Sequence, residues 1–180
     1  MEIRIIIEYT YKALLSYTIY SNKMHPLNSS WSFYVHHPMD SDWSFESYRK
    51  IIEMKNLEDI ILFFKALPSS ILEHYMVFIM RNDIKPLWEA EENRTGGSFS
   101  TKLEKGKIKP SIYTLFSKLA GETIINDVSI RNKMNGISIS PKKNCCILKL
   151  WMKDHETYNM NILECVQPNK DKIIFKKHHI

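Results

Sequence analysis

Pro86-Leu87-Trp88-Glu89 is the stretch from which the fold and function of this chain are inferred, and the polar run Glu91-Glu92-Asn93-Arg94-Thr95-Gly96-Gly97 follows it. A Trp that leads into a polar, glycine-containing loop is poorly placed for full burial, and such an aromatic often holds a ligand. The indole face attracts a cationic or electron-poor ring, and the adjacent carboxylate accepts N–H groups from the edge of that ring. The pair therefore predicts half of a site for a positively charged purine.

The other half of such a site requires a second indole. Trp43 is the candidate, because it lies in the polar setting Asp40-Ser41-Asp42-Trp43-Ser44. Polar neighbours on both sides favour an exposed ring over one packed in the core.

Several short motifs occur in the order and at nearly the spacing of one known family. They are His25-Pro26-Leu27 with Trp31, Trp43, Leu57-Glu58-Asp59, Pro86-Leu87-Trp88-Glu89, Gly96-Gly97, Gly121-Glu122 and Trp151. Together they resemble the eukaryotic translation initiation factor 4E family over about residues 25–176. That family binds the 7-methylguanosine cap of messenger RNA, so the resemblance implies a cap-binding protein that promotes cap-dependent translation initiation.

Length and composition fit this interpretation. The chain has 180 residues, which suits a single domain, and we assign residues 25–180 to one cap-binding domain. The chain has 25 Lys and Arg residues and 20 Asp and Glu residues. The resulting net charge of +5 mildly favours an anionic partner. The three cysteines fit neither a disulfide framework nor a metal site, and no apolar stretch is long enough to span a bilayer. We expect a cytoplasmic monomer without metal, cofactor or membrane association.

The seven histidines give no indication of catalysis. Two adjacent pairs, His36-His37 and His178-His179, belong to no recognisable triad, metal motif or phosphate loop. We therefore expect no catalytic residues. Unspecific binding of single-stranded RNA through aromatics and lysines would not explain an acid placed directly beside Trp88.

Apolar periodicity and turn residues predict an α+β fold. Strands are predicted over residues 31–36, 48–54, 75–80, 99–103, 136–140, 145–152 and 172–176. Helices are predicted from Asn56 as N-cap to residue 66, where Pro68-Ser69-Ser70 ends the segment, and over residues 111–120 before Gly121. Residues 159–166 are ambiguous between helix and strand. The resemblance implies a curved antiparallel β-sheet with helices on the convex face and the cap slot on the concave side.

The resemblance assigns the residues that bind the cap guanine. Trp43 and Trp88 are the two faces of a sandwich around the methylated base, and Glu89 accepts its N1–H and N2–H groups. Trp151 lies against the methyl group, whereas Trp31 belongs to the core.

The resemblance also predicts cations for the triphosphate, on the hairpin between Gly136 and Trp151. The family uses an Arg before the hairpin turn and a Lys on the returning strand. An alignment without gaps places Lys142 at the Arg position but Ile147 at the Lys position. Lys149 shares a strand face with Ile147 and Trp151 and is therefore the expected second cation.

Two further cations are candidates for the phosphates. Lys143 follows Lys142 directly in the sequence and is the alternative phosphate ligand at this position. The family has an Arg just after the paired glycines, and this chain has Ser98 at that position. We expect Arg94, in the nearby loop, to supply the missing positive charge. The ammonium group of lysine is a point charge, whereas the guanidinium group of arginine can donate two parallel hydrogen bonds. We therefore expect a geometry of phosphate binding that differs from that of the family.

The chain departs most from the family on the back face, where the family binds the scaffold protein 4G or 4E-binding proteins. His25 and Pro26 are retained, Leu57 replaces a Val, Ile61 replaces an exposed Trp, and Tyr113 lies at another position of the patch. Loss of the Trp removes a usual hot-spot residue and predicts weaker 4G binding. The alternative function is therefore a cap-binding repressor or competitor that sequesters capped mRNA without recruiting 4G.

Residues 1–24 form an N-terminal extension that is unusually apolar for the family. Tyr9, Leu14 and Leu15 fit the pattern Tyr-x-x-x-x-Leu-hydrophobic, which partners of the family carry on a short docking helix. One interpretation is that this segment docks on the back face of its own chain. The other is an ordinary additional strand or helix of the core, with the pattern arising by chance.

Overall fold

The computed structural model describes Lys12 and residues 24–156, 160–167 and 172–178. The described strands all belong to one antiparallel sheet with the order β2-β1-β3-β5-β6-β4-β7, which is curved and does not close into a barrel. The strands are β1 (Pro26–His36), β2 (Arg49–Asn56), β3 (Met76–Arg81), β4 (Gly97–Leu103), β5 (Met134–Pro141), β6 (Cys146–Met152) and β7 (Ile174–Lys177). The predicted α+β class and the predicted sheet are confirmed.

Within the described ranges, five helices and three 3-10 turns connect the strands. The helices are α1 (Leu57–Ala66), α2 (Ser69–His74), α3 (Glu91–Arg94), α4 (Ile108–Ala120) and α5 (Val128–Arg131). The 3-10 turns are Phe45–Ser47, Lys105–Lys107 and Met160–Leu163. No helix within the described ranges is long and apolar enough to cross a membrane.

Helix α1 begins where the sequence predicts it. The Asp59 carboxylate accepts the backbone N–H groups of Lys55 and Asn56 at 2.8 Å each, and the Asn56 side-chain amide at 3.1 Å. This closes the first turn, where an acidic side chain also complements the helix dipole. Residues 68–70 follow the end of α1 as predicted, but they also start α2, a helix that was not predicted.

Alternation along the strands separates two faces of the sheet. In β1, Phe33 and Val35 belong to the main core, whereas Tyr34 belongs to a second cluster on the other face. The main core lies between the sheet and helices α1, α2 and α4, which pack on the convex face. Trp31 lies in this core with 1% of its surface exposed, and its ring meets Phe116 of α4 edge-on at 5.3 Å, as expected for a core residue.

The N-terminal extension lies largely outside the described residues. Tyr9, Leu14 and Leu15 are among those not described, so docking of this segment on the back face stays a prediction.

Candidate nucleotide-binding site

Two loops cover the concave face of the sheet. Its apolar floor is the second cluster, composed of Tyr34, Tyr48, Phe78, Met80 and Trp151. Phe45 and Leu87 pack against this floor from the β1–β2 and β3–β4 loops. The Lys85 ammonium lies 5.1 Å from the centre of the Phe45 ring and joins the two loops. Phe45 is two residues from Trp43, and Leu87 directly precedes Trp88. Both tryptophans therefore lie on loops that are anchored to the concave face of the sheet.

Trp43 has one supported face and a largely accessible ring. Its indole is 51% exposed and stacks on the His36 imidazole, with ring centroids 4.4 Å apart and 14° between the planes. His36 is 1% exposed, and its Nε2 lies 2.9 Å from the Asp42 carbonyl oxygen. A carbonyl only accepts, so Nε2 carries the hydrogen in this contact.

Side-chain hydrogen bonds fix the backbone around Trp43. The Asp40 carboxylate accepts the Asp42 N–H at 3.0 Å, and the Asp42 carboxylate accepts the Ser44 N–H at 2.8 Å. The backbone hydrogen bond from Ser44 holds the pKa of Asp42 below its ordinary value. The polar residues that indicated an exposed Trp43 therefore also build the turn that carries it.

A buried asparagine holds the loop that carries Trp88. Asn93 is fully buried, and its side-chain amide donates to the carbonyl oxygens of Lys85 and Leu87 at 2.9 and 2.8 Å. The Asn135 amide in turn donates to the Asn93 side-chain oxygen at 2.9 Å. Trp88, just beyond Leu87, keeps 46% of its surface exposed. Asn93 was not predicted as a site residue, because its place in a polar run does not distinguish it from a solvated loop residue.

Glu89 is exposed and lies close to two other groups of the concave face. Burial raises the pKa of Tyr48 to about 12, and the negative charge of Glu89 is the second cause. Burial lowers the pKa of His178, an effect that Glu89 opposes. The negative charge of Glu89 therefore influences the pKa of Tyr48 in the β1–β2 loop and the pKa of His178 just after β7.

Trp151 forms the floor between these loops. Its indole is 6% exposed, and its Nε1 donates to the Ser138 hydroxyl at 2.9 Å. Its ring lies 6.2 Å from Phe78 and 5.2 Å from the His178 ring. With its only polar atom satisfied, Trp151 offers an apolar ring edge or face to a ligand.

A cavity of about 240 Å³ opens beside Trp88 and Trp151. The remaining residues that line it are Ser98, Lys149, Lys176, Lys177 and His178. Lys149 is half-buried, and its pKa is lowered by burial first and by the charges of Lys176 and Lys142 next. The cavity therefore combines aromatic walls with a cluster of positive charge.

The other predicted cations lie outside this lining. Lys142 and Lys143 are exposed at the β5–β6 turn, where the Lys142 N–H donates to the Cys145 carbonyl oxygen at 2.8 Å. Arg94 is exposed at the end of α3. Lys176 and Lys177 line the cavity but were not predicted, because nothing in the local sequence shows that β7 pairs with β4.

The predicted back-face residues are accessible on the opposite side of the molecule. Leu57, Ile61 and Tyr113 are 46%, 37% and 41% exposed. Ile61 and Tyr113 line a groove of about 480 Å³ between α1 and α4. His25 donates its backbone N–H to Glu58 at 3.0 Å and lies 2.5 Å from the same carboxylate through Nδ1, which lowers the pKa of Glu58. This contact ties the start of β1, including Pro26, to α1.

The part of the chain that the structure describes contains no group of three or more His, Cys, Asp or Glu residues placed to hold a metal ion.

A family profile described as "Eukaryotic initiation factor 4E" matches residues 26–179. The chain is 30% identical over 158 residues to "Eukaryotic translation initiation factor 4E" of Saccharomyces cerevisiae, which covers 82% of this chain and 70% of the yeast protein.

Two solved structures show the similarity in fold. One is the Ascaris suum eIF4E-3 with m2,2,7G cap, with a TM-score of 0.75 and 18% identity over 87% of this chain and 92% of that one. The other is the C. elegans eIF4E-3 with the 4E-binding protein Mextli and cap analog, with a TM-score of 0.75 and 17% identity over 87% of this chain and 94% of that one.

Proposed function

The chain belongs to the eukaryotic initiation factor 4E family, and on that premise we propose that it binds the 7-methylguanosine cap of mRNA in translation initiation. The observation that carries this proposal is the placement of two exposed indoles, Trp43 and Trp88, on loops that pack against the same apolar floor. The exposed carboxylate of Glu89 directly follows Trp88 in the chain, and a cationic cavity adjoins Trp88. These are the groups required by a cationic base that carries phosphates.

The base is held between Trp43 and Trp88. Methylation at N7 gives guanine a positive charge, and each desolvated indole face contributes about 1–2 kcal/mol of cation–π attraction. His36 supports the far side of Trp43, so that ring is stacked before the ligand arrives. A ring that is already ordered loses less conformational freedom on binding.

Glu89 selects guanine and Trp151 contacts the methyl group. Guanine offers N1–H and N2–H donors on one edge, and a carboxylate accepts both in a charge-assisted pair. Adenine has no such pair of donors on that edge. The apolar ring of Trp151, with its N–H engaged by Ser138, suits a methyl group.

The triphosphate is bound by Lys142 and Lys149, with Lys143 and Arg94 as additional cations. Lys149 supports this assignment best, because it lines the cavity beside both Trp88 and Trp151. Lys142 lies near enough for its charge to lower the pKa of Lys149.

Retention on a cap-analogue resin tests cap binding directly. The wild-type protein is expected to bind and to be eluted by 7-methylguanosine triphosphate but not by unmethylated guanosine triphosphate. Equal elution by both nucleotides, or failure of the protein to be retained on the column, would show that it does not recognise the methylated cap.

A protein partner docks in the groove beside Ile61 and Tyr113. The solved C. elegans relative is described in complex with a 4E-binding protein. Ile61 buries less apolar area than a tryptophan would, so a Tyr-x-x-x-x-Leu-hydrophobic peptide is expected to bind weakly. Ile61→Trp should strengthen peptide binding without changing cap affinity, and removal of residues 1–20 should strengthen it if that segment docks in cis.

A second candidate function is the cap-binding competitor, which the Ile61 groove favours. In a translation extract, an initiation factor restores expression of a capped reporter after depletion of the endogenous 4E. A competitor instead lowers expression of the same reporter when added to the complete extract. A reporter driven without a cap is the control and should not respond.

A further inference from the structure

The last strand places a lysine in the cationic cavity. Lys176 of β7 is paired with Ser98 of β4, and Ser98 is paired with Trp151 of β6. Paired residues of neighbouring strands point to the same face, so these three side chains form a row across the concave face. Adjacent strands are about 4.8 Å apart, so Lys176 lies about 10 Å across the sheet from Trp151.

The middle residue of this row leaves space for a ligand. Ser98 has a small side chain, and the cavity of about 240 Å³ lies over it between Lys176 and Trp151. In the adjoining row, Lys149 is paired with Ser100, again a small residue. The space is smaller than the roughly 300–1,000 Å³ of pockets that enclose whole ligands, and it suits phosphate groups rather than a second base.

The lysines of this region place positive charge in and beside the cavity. Lys142, Lys149 and Lys176 form no ion pair with any residue in the described ranges. The charges of Lys176 and Lys142 both act on the half-buried Lys149. Like charges gathered without a counterion repel one another, and an anion bound among them relieves that repulsion.

We propose that Lys176 is a phosphate ligand of the cap, so that strand β7 forms part of the binding site together with Lys149 and Lys142. This inference rests on the proposed function. It gives the phosphates a cation on the β7 side of the cavity, across β4 from Lys149 on β6. The triphosphate is then held from two sides. Arg94 and Lys143 contribute less, because they do not line the cavity and, unlike Lys142, are not among the charges that lower the pKa of Lys149.

The test is a calorimetric comparison of Lys176→Gln with the wild type, using 7-methylguanosine triphosphate and the nucleoside 7-methylguanosine. Lys118→Gln on α4, on the convex side of the sheet, is the matched control for loss of one positive charge. Loss of a charge-assisted phosphate contact should weaken triphosphate binding about tenfold in Lys176→Gln and leave nucleoside binding unchanged. The slope of log K against log salt concentration should fall by about one unit.

Two further results complete the test. Lys176→Arg keeps the charge and should keep most of the triphosphate affinity, and thermal unfolding should show that each variant is folded. If Lys176→Gln binds the triphosphate as Lys118→Gln does, the assignment of Lys176 is wrong although cap binding stands. If the wild type binds neither ligand, the proposed function fails and this inference fails with it.

Discussion

The imidazole of His36 lies parallel to the indole of Trp43, with ring centroids 4.4 Å apart. His36 is buried and its Nδ1 has no hydrogen-bond partner among residues 24–156, 160–167 and 172–178. A buried polar ring with one satisfied nitrogen is less favourable than an apolar ring of similar shape. Its place behind an exposed tryptophan indicates that it supports that ring, and this relationship gives the first prediction.

Replacement of His36 by Ala should weaken cap binding by removing the support of Trp43. Stacked aromatic rings contribute about 0.5–1.5 kcal/mol, so the affinity for 7-methylguanosine triphosphate should fall about two- to tenfold. His36→Phe restores an aromatic ring and should restore affinity. His37→Ala, an exposed neighbour, is the control. Titration calorimetry measures all four proteins, and equal affinity of His36→Ala and wild type would show that Trp43 needs no support.

Glu89→Gln should remove selectivity for guanine while leaving the fold intact. The side chain is exposed, and the substitution keeps its size but loses the charge. Charge-assisted hydrogen bonds contribute about 1.5–3 kcal/mol, so the affinity for methylated guanosine triphosphate should fall at least about tenfold. A competition assay with a methylated adenosine analogue is the check. If the wild type bound both analogues equally, Glu89 would have no part in recognition.

Asn93→Ala should destabilise the protein and disorder the Trp88 loop. The substitution removes donors to the carbonyl oxygens of Lys85 and Leu87 and the acceptor for Asn135. Leaving buried partners unsatisfied should lower the free energy of unfolding by about 1–3 kcal/mol. Chemical denaturation measures this change. Asn132→Ala, outside the site after α5, should have little effect, and a similar small effect for Asn93→Ala would contradict the assigned role.

His178 should make the protein less stable at acid pH. Burial lowers its pKa below the ordinary value, so the unfolded chain binds a proton there before the folded protein does. Stability therefore rises with pH across the window below about 6.5 and is lost as the pH falls through it. His178→Gln should lose less stability than wild type between pH 7.5 and pH 5.5 in denaturant titrations. His74→Gln, exposed on α2, is the control, and parallel behaviour of all three proteins would contradict this prediction.

Local sequence was sufficient for most of the sheet and for the main helices. Asn56 and Asp59 define the start of α1 through contacts within five residues, which a linear pattern reveals. The polar residues around Trp43 likewise indicated exposure, because they form the turn that holds it. Helix α2 was missed because residues 68–70 are equally typical of a terminator and of a new helix start.

The missing parts of the site depend on contacts between distant segments. Lys176 reaches the cavity because β7 pairs with β4, more than seventy residues earlier in the chain. Asn93 acts through carbonyl groups of a loop whose path is set by the folded sheet. His36 and Trp43 are near in sequence, but their stacking requires the loop to turn back over β1. Such relationships follow from topology rather than from periodicity.

The central claim is that two indoles grip a charged base, and one calorimetric titration tests it most directly. Wild type and Trp88→Ala are each titrated with 7-methylguanosine triphosphate and with unmethylated guanosine triphosphate. The wild type should bind the methylated nucleotide at least about tenfold more tightly, since cation–π attraction at desolvated faces reaches about 2 kcal/mol. Trp88→Ala should remain folded, because Trp88 is not part of the buried core and is 46% exposed, and should lose this preference. Equal binding of the two nucleotides by wild type, or an unchanged preference in Trp88→Ala, would contradict the account.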